Sequence, residues 1–199
     1  MKIGILALQG AFIEHQKMLE SLGVTCVQLR QKRDIDGIDG LVLPGGESTV
    51  QGKLLRELEM FEPLREKINS GLPTLATCAG MILLAEHLVD DPVRHFATLP
   101  VTVKRNAYGR QLGSFITTAP FVGLGDVPMI FIRAPYVVAA SPAVQTLAVV
   151  DGKTVAVRFG NQMALAFHPE LGGDTRIHRL FLDAVCGRKE CEPDRIAAW

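Results

Sequence analysis

The first half of the chain alternates short apolar runs with stretches of helical periodicity, and this alternation most constrains the fold. The apolar runs at residues 2–8, 24–29, 40–43 and 74–77 predict buried strands. The periodicity predicts helices at residues 11–22, 49–69 (with an interruption near Pro63) and 79–88. Strands that alternate with helices form a parallel sheet with helices on its faces. We therefore expect a doubly wound α/β fold.

The second half reads mainly as strands. They are predicted at residues 102–119, 129–132, 147–150, 154–159 and 163–167, with a hairpin turn at Asp151-Gly152. A closing helix is expected at residues 174–185, with Asp174 as its N-cap. Because no linker or repeat interrupts the chain, we expect one flavodoxin-like domain at residues 1–187 with a mixed, mainly parallel sheet. Residues 188–199 are expected to form a C-terminal tail.

Composition excludes several classes of protein. The 21 Lys and Arg residues balance 21 Asp and Glu residues, so a surface for nucleic acid or anionic membrane is not expected. No apolar run approaches the ~18 residues of a membrane span, and no targeting segment is visible, which predicts a cytoplasmic protein. The cysteines form no C-x-x-C pair and have no histidine at finger-like spacing, so neither a metal site nor a disulfide framework is expected.

Cys78 occupies the junction between a predicted strand and the predicted helix that follows it. The small residues Ala76 and Gly80 stand two positions away on either side, as at a nucleophile elbow. A helix N-terminus would also favour a thiolate there. A free cysteine is often a buried structural residue instead, and this pattern alone leaves both interpretations open.

His168 and Glu170 lie directly after the last predicted strand. In an extended chain, residues two apart point to the same side, so the carboxylate could sit beside the imidazole. It would then hold one tautomer and stabilise the imidazolium, as activation of a thiol by a base requires. An exposed turn is the alternative interpretation of this pair.

The paired glycines at residues 45–46 follow a predicted strand within the segment LPGGEST, residues 43–49. Such glycines let a backbone approach a ligand and offer N–H groups to an oxyanion. A phosphate-binding P-loop is excluded, because five residues rather than four precede the next glycine and Lys53 is not followed by Ser or Thr. A plain strand-to-helix turn capped by Ser48 or Thr49 is the alternative.

Several segments in order, spread over nearly the whole chain, resemble those of one family. They are GILALQG at residues 4–10 with Glu14 and His15, LPGGEST at 43–49, TCAG at 77–80, RNAYGRQ at 105–111, FIRAP at 131–135 and FHPEL at 167–171. Together they resemble the class I (triad) glutamine amidotransferases, and more narrowly the glutaminase subunits of pyridoxal 5′-phosphate synthases. One departure is visible, because Ala76 stands where the family usually has glycine.

The resemblance implies a glutaminase that releases glutamate and ammonia and delivers the ammonia to a synthase subunit in a hetero-oligomeric complex. It implies no metal and no cofactor on this chain, since pyridoxal phosphate is the product of the complex. It implies a catalytic triad of Cys78, His168 and Glu170. The glutamine-binding residues that it implies are Gly46, Glu47, Ser48, Arg105, Ile132 and Arg133. Arginine donors and an anion suit the carboxylate and ammonium of free glutamine.

Three other functions are compatible with parts of this pattern. A DJ-1/PfpI-like protein shares the cysteine elbow but does not resemble the chain at His168-Pro-Glu170. A glutaminase subunit of a different synthase, such as the imidazole glycerol phosphate one, shares the triad but lacks the RNAYGRQ segment. A flavodoxin-like binding module would carry an inert, buried Cys78 and no activity.

Overall fold

The computed structural model describes residues 1–105 and 114–191, and side chains as far as residue 187. Two predicted segments lie outside these ranges. They are residues 106–111 of the RNAYGRQ segment and residues 192–199 of the predicted tail. In the part of the chain that is described, no helix is long and apolar enough to cross a membrane.

The first half has the predicted alternation of strands and helices. Its elements are β1 (Lys2–Leu6), α1 (Phe12–Ser21), β2 (Thr25–Leu29), β3 (Gly40–Leu43), α2 (Ser48–Glu57), α3 (Phe61–Asn69), β4 (Thr74–Thr77) and α4 (Ala79–Leu84). The strands pair in parallel in the order β2-β1-β3-β4. The carboxyl ends of these strands therefore lie at one edge of the sheet.

The second half extends this sheet. Its elements are β5 (Ala85–Leu88), β6 (Leu99–Lys104), β7 (Ser114–Phe121), β8 (Gly125–Ile132), β9 (Tyr136–Ala140), β10 (Gln145–Val150), β11 (Lys153–Phe159), β12 (Gln162–Leu165) and α5 (Arg176–Cys191). The order continues from β4 as β12-β11-β9-β6-β5, with β10 on β11, while β7 and β8 form a separate ribbon. β12 is parallel to β4 and antiparallel to β11. The predicted α/β class with a mixed, mainly parallel sheet is confirmed.

Two helix predictions in the first half need correction. The helix predicted at residues 79–88 ends at Leu84, and Ala85–Leu88 is strand β5. Parallel pairing of β5 with β6 overrides the local helical pattern. The helix predicted at 49–69 is interrupted at residues 58–60, where Glu59 has a φ of 55°, and not at Pro63. Pro63 lies in the first turn of α3, where backbone N–H groups have no acceptor within the helix. Proline, which has no N–H, therefore costs no helical hydrogen bond there.

The second half differs from its prediction at three places. Strand β9 was not predicted, and the single strand predicted at residues 102–119 corresponds to β6 and β7. Helix α5 begins two residues after Asp174, whose carboxylate accepts a hydrogen bond from the backbone N–H of Arg176, and continues to Cys191. The hairpin turn at Asp151-Gly152 is confirmed, since both residues have positive φ and join β10 to β11.

Gly80 allows α4 to pack directly on strand β3. A Cβ atom on Gly80 would lie 2.1 Å from the carbonyl oxygen of Leu43. That contact is with backbone, so it cannot be relieved by rotation of a side chain. The first turn of α4, and with it the position of Cys78, therefore depends on the missing side chain.

We predict that Gly80→Ala destabilises the fold by about 1–3 kcal/mol, the usual effect of overpacking a core. The measurement is the free energy of unfolding from denaturant titration. Gly187→Ala is the matched control, because Gly187 lies in α5, a Cβ atom there would have no neighbour within 4 Å, and alanine favours a helix. Equal stability of Gly80→Ala and the unchanged protein would contradict this account of the packing.

Candidate active site

The loops after four neighbouring parallel strands, β1, β3, β4 and β12, meet at one edge of the sheet. Ligands of open α/β sheets bind at such carboxyl edges. Here the loops surround a cavity of about 320 Å³. It is lined by Gln9, Gly10, Ala11, Gly45, Gly46, Glu47, Ser48, Cys78, Ile82, Arg105, Ile132, Arg133, Pro135 and His168. Apart from Glu170, every predicted site residue lines it.

Cys78 stands at a sharp turn between β4 and α4. Its φ is 47° and its ψ is −102°, a conformation that is rare for a residue with a side chain. The turn is held because the Cys78 N–H donates to the carbonyl of Leu165 at 2.8 Å, which extends the pairing of β4 with β12. The sulfur lies in the cavity wall, 3.9 Å from the carbonyl oxygen of Ile132. This is the geometry of a nucleophile elbow.

His168 follows β12 and is buried beside the cavity. Its backbone N–H donates to the carbonyl of Ile130 at 2.8 Å, and its Nδ1 lies 2.7 Å from Oε1 of Glu170. Its ring packs against Gly45, where a Cβ atom would lie 2.3 Å from the imidazole Cε1. Glycine at residue 45 therefore leaves the space in which the imidazole stands.

The charges of this pair follow from their contacts. Burial alone would lower the pKa of His168, but hydrogen bonds with Cys78 and Glu170 outweigh it and raise the pKa to about 10. Burial raises the pKa of Glu170, and the neighbouring His15 and His168 more than offset it, so that pKa lies below its ordinary value. At neutral pH, His168 is therefore an imidazolium that faces an ionised carboxylate on one side and the Cys78 sulfur on the other.

The loop after β3 carries the cavity's negative charge. Glu47 is exposed and caps α2, its carboxylate accepting from the N–H of Thr49 at 3.3 Å. The loop is fixed because the Glu47 N–H donates to Oε1 of Gln9 at 2.7 Å. A Cβ on Gly10 would lie 1.8 Å from the carbonyl oxygen of Gly45, so the loops after β1 and β3 touch backbone to backbone.

Two arginines supply positive charge to the same cavity. Arg105 is half-buried and donates to Oδ2 of Asp91 at 2.5 Å, which fixes its guanidinium. Arg133 is exposed and has a φ of 45°, another uncommon backbone conformation at the cavity wall. A carboxylate and two guanidinium groups around a cysteine suit a small zwitterion that carries an electrophilic carbon.

Sequence reasoning assigned no role to several residues of this site. Gln9 and Pro135 lie within segments that carried the family resemblance, which was the available signal for them. Ile82 stands one helical turn after Cys78, a spacing that could have indicated it. Asp91 was not signalled by any local pattern, because its pairing with Arg105 depends on how two loops pack.

Comparisons with known proteins agree with this geometry. A model of the SNO glutamine amidotransferase family matches residues 5–187. The pyridoxal 5′-phosphate synthase subunit PdxT of Desulfitobacterium hafniense is 64% identical over 190 residues, which cover 95% of this chain and 96% of the relative. The corresponding subunit of Methanocorpusculum labreanum is 54% identical over 188 residues, 94% of this chain and 99% of the relative.

Solved structures give the same result. A crystal structure of a glutamine amidotransferase superposes with a TM-score of 0.89 at 41% identity. The match covers 92% of this chain and 98% of that one. On these matches in sequence and structure, this chain belongs to the SNO glutamine amidotransferase family.

Proposed function

We propose that this glutaminase hydrolyses glutamine with Cys78 as nucleophile, His168 as acid and base, and Glu170 as the group that orients His168. The ammonia passes to a synthase subunit that makes pyridoxal 5′-phosphate. The observation that carries the proposal is the 2.7 Å contact between His168 Nδ1 and Glu170 Oε1, together with Cys78 and the same imidazole at the wall of one cavity with charges of both signs.

The first step forms a thioester. His168 takes the thiol proton of Cys78, the thiolate attacks the side-chain amide carbon of glutamine to form a C–S bond, and the carbonyl electron pair moves to oxygen. When that pair returns, the C–N bond breaks and His168 gives its Nε2 proton to the leaving nitrogen, which departs as ammonia. His168 is suited to this step because it holds both ring protons at neutral pH.

The second step regenerates the enzyme. Neutral His168 takes a proton from water, the hydroxide oxygen bonds to the thioester carbon, and the C–S bond breaks to release glutamate. Backbone N–H groups at Gly46 and directly after Cys78 are proposed to stabilise the oxyanion of both steps, because paired N–H donors are the usual oxyanion hole of acyl transfer. Glu170 stays ionised throughout and stabilises the imidazolium.

Recognition of glutamine is assigned to the charged rim of the cavity. Glu47 would pair with the substrate ammonium, and Arg105 and Arg133 with its carboxylate. Gly46, Ser48 and Ile132 would contribute backbone groups. Asp91 supports this assignment because it holds the Arg105 guanidinium in place. No metal or organic cofactor takes part in these steps.

The proposed partner and product come from relatives. The curated proteins at 64% and 54% identity are named as subunits of pyridoxal 5′-phosphate synthase, and coverage of at least 94% on both sides leaves little of either chain unmatched. Membership of an amidotransferase family favours this function over a DJ-1/PfpI-like protein or a binding module with an inert cysteine. The subunit names favour it over a glutaminase subunit of a different synthase.

We predict that Cys78→Ser abolishes pyridoxal phosphate formation from glutamine, because the thiol is the nucleophile, while ammonium salts restore it. The measurement is product absorbance with this chain, the synthase subunit, and pentose and triose phosphates present. Cys186→Ser is the control, since Cys186 is exposed and far along α5, and it should keep glutamine-driven synthesis. Full activity of Cys78→Ser with glutamine would refute the assignment, and failure of ammonium rescue would show that this chain does more than supply ammonia.

We predict that Glu170→Gln lowers kcat for glutamate release by about 10²–10⁴-fold with little change in KM, because Glu170 acts on the transition state through His168. The matched control is Glu47→Gln, the same change at the cavity rim, which should raise KM instead. Steady-state kinetics with the synthase subunit present separates the two effects. A pure KM effect in Glu170→Gln would place Glu170 in the glutamine pocket and not behind the histidine.

A further inference from the structure

A buried polar cluster lies behind Glu170, and the proposed chemistry does not use it. It consists of His15 in α1, Thr77 at the end of β4 and His178 in α5, each with no exposed surface. His15 Nδ1 lies 3.0 Å from His178 Nε2, and His15 Nε2 lies 3.1 Å from Thr77 Oγ1. Buried polar groups are costly unless they are paired, so the direction of these hydrogen bonds matters to the fold and to the site.

The cluster reaches the second oxygen of the Glu170 carboxylate. Oε1 of Glu170 is engaged by His168, whereas Oε2 lies 3.3 Å from Nε2 of His15. Within the described residues, Oε2 makes no hydrogen bond, and Nε2 of His15 is the polar atom that approaches it, while that same Nε2 is hydrogen-bonded to Thr77 Oγ1. The carboxylate thus stands between two imidazoles, one on the side of the cavity and one on the side of the core.

The tautomers of the two core histidines follow from one unpaired atom. Nδ1 of His178 has no partner among the described residues. A buried acceptor without a partner is tolerated better than a buried N–H without one, so the proton of His178 is on Nε2. It is donated to Nδ1 of His15, whose own proton must then be on Nε2, the atom that faces Thr77 and Glu170.

Both core histidines are neutral donors. Burial lowers the pKa of His15, although the nearby Glu170 opposes this. Burial likewise lowers the pKa of His178, to about 3. The N–H groups therefore form a directed chain from α5 through His15 to Thr77 Oγ1, which brings the Nε2–H dipole of His15 to 3.3 Å from the carboxylate without placing a second cation beside it.

We infer that His15 is a positioning residue for the triad, whose Nε2–H, oriented by His178, keeps the Glu170 carboxylate ionised and directed at His168. The inference rests on the proposed function, because His15 acts only through Glu170. It explains why a second imidazole is buried so close to Glu170 when His168 already engages one of the carboxylate oxygens.

The titratable neighbours of Glu170 give the sign of the expected effect. They are His15 and His168 in direct contact, Cys78 through His168, and Glu14 and His178 through His15. From β8, the uncharged backbone carbonyl of Ile130 accepts a hydrogen bond from the N–H of His168. Without the N–H of His15, burial raises the pKa of Glu170, and a protonated carboxyl cannot stabilise the imidazolium. The reactive Cys78–His168 pair then forms only at higher pH.

The test is the rate of Cys78 alkylation by iodoacetamide as a function of pH, measured on the purified chain by peptide mass spectrometry. His15→Leu removes the N–H dipole that lies 3.3 Å from the carboxylate and should move the acid limb of the profile up by about one pH unit, because the ionised form loses a favourable neighbour in a buried site. His15→Gln places an amide N–H near the former Nε2 and should restore the limb to within a few tenths of a unit.

His178→Leu provides a second variant if His15→Leu does not fold, and should shift the limb in the same direction by less. His95→Leu is the matched control, because His95 is also buried but neither of its ring nitrogens has a partner among the described residues. An unchanged limb in folded His15→Leu, or equal shifts in His15→Leu and His15→Gln, overturns the role of His15 while leaving the triad intact. An unreactive Cys78 in the unaltered chain overturns the proposed function itself.

Discussion

The buried contact between His168 and Glu170 is the interaction on which the rest of the site depends. Taking a carboxylate and an imidazolium out of water is costly, and their attraction offsets the cost only when the geometry is good and the remaining polar atoms are paired. Here one oxygen of Glu170 meets His168 and the other faces His15. The attraction between His168 and Glu170 therefore offsets the cost of burial, while Oε2, which makes no hydrogen bond with a described residue, lies 3.3 Å from Nε2 of His15. The imidazole is held where Cys78 can use it.

Space for this contact is created by glycines at backbone crossings. Gly45 leaves room for the imidazole, and Gly80 lets α4 approach β3 so closely that the elbow at Cys78 can form. Gly10 lets the loop after β1 touch the loop that carries Glu47. The imidazole, the cysteine elbow and the loop that carries Glu47 are thus each positioned where a neighbouring residue has no side chain.

Local patterns predicted the individual elements well where pairing and propensity agreed. Strands β3 and β4 were predicted with the bounds that the structure has, because each is a short apolar run buried on both faces. The prediction was wrong at Ala85–Leu88, where pairing with β6 replaces the helix that the periodicity indicated. Strand β9 was missed because most of its residues are exposed, so that no clear apolar run marks it.

By itself, the sequence determined the class of the fold, the junction at which Cys78 stands, and the spacing that lets Glu170 reach His168. These depend on neighbours along the chain, which periodicity and spacing describe. Only the tertiary structure decided that β12 lies beside β4, which brings His168 to Cys78. It also decided the contacts of Asp91 with Arg105 and of His15 with His178. Such contacts join segments distant along the chain, and strand order, register and helix packing determine them.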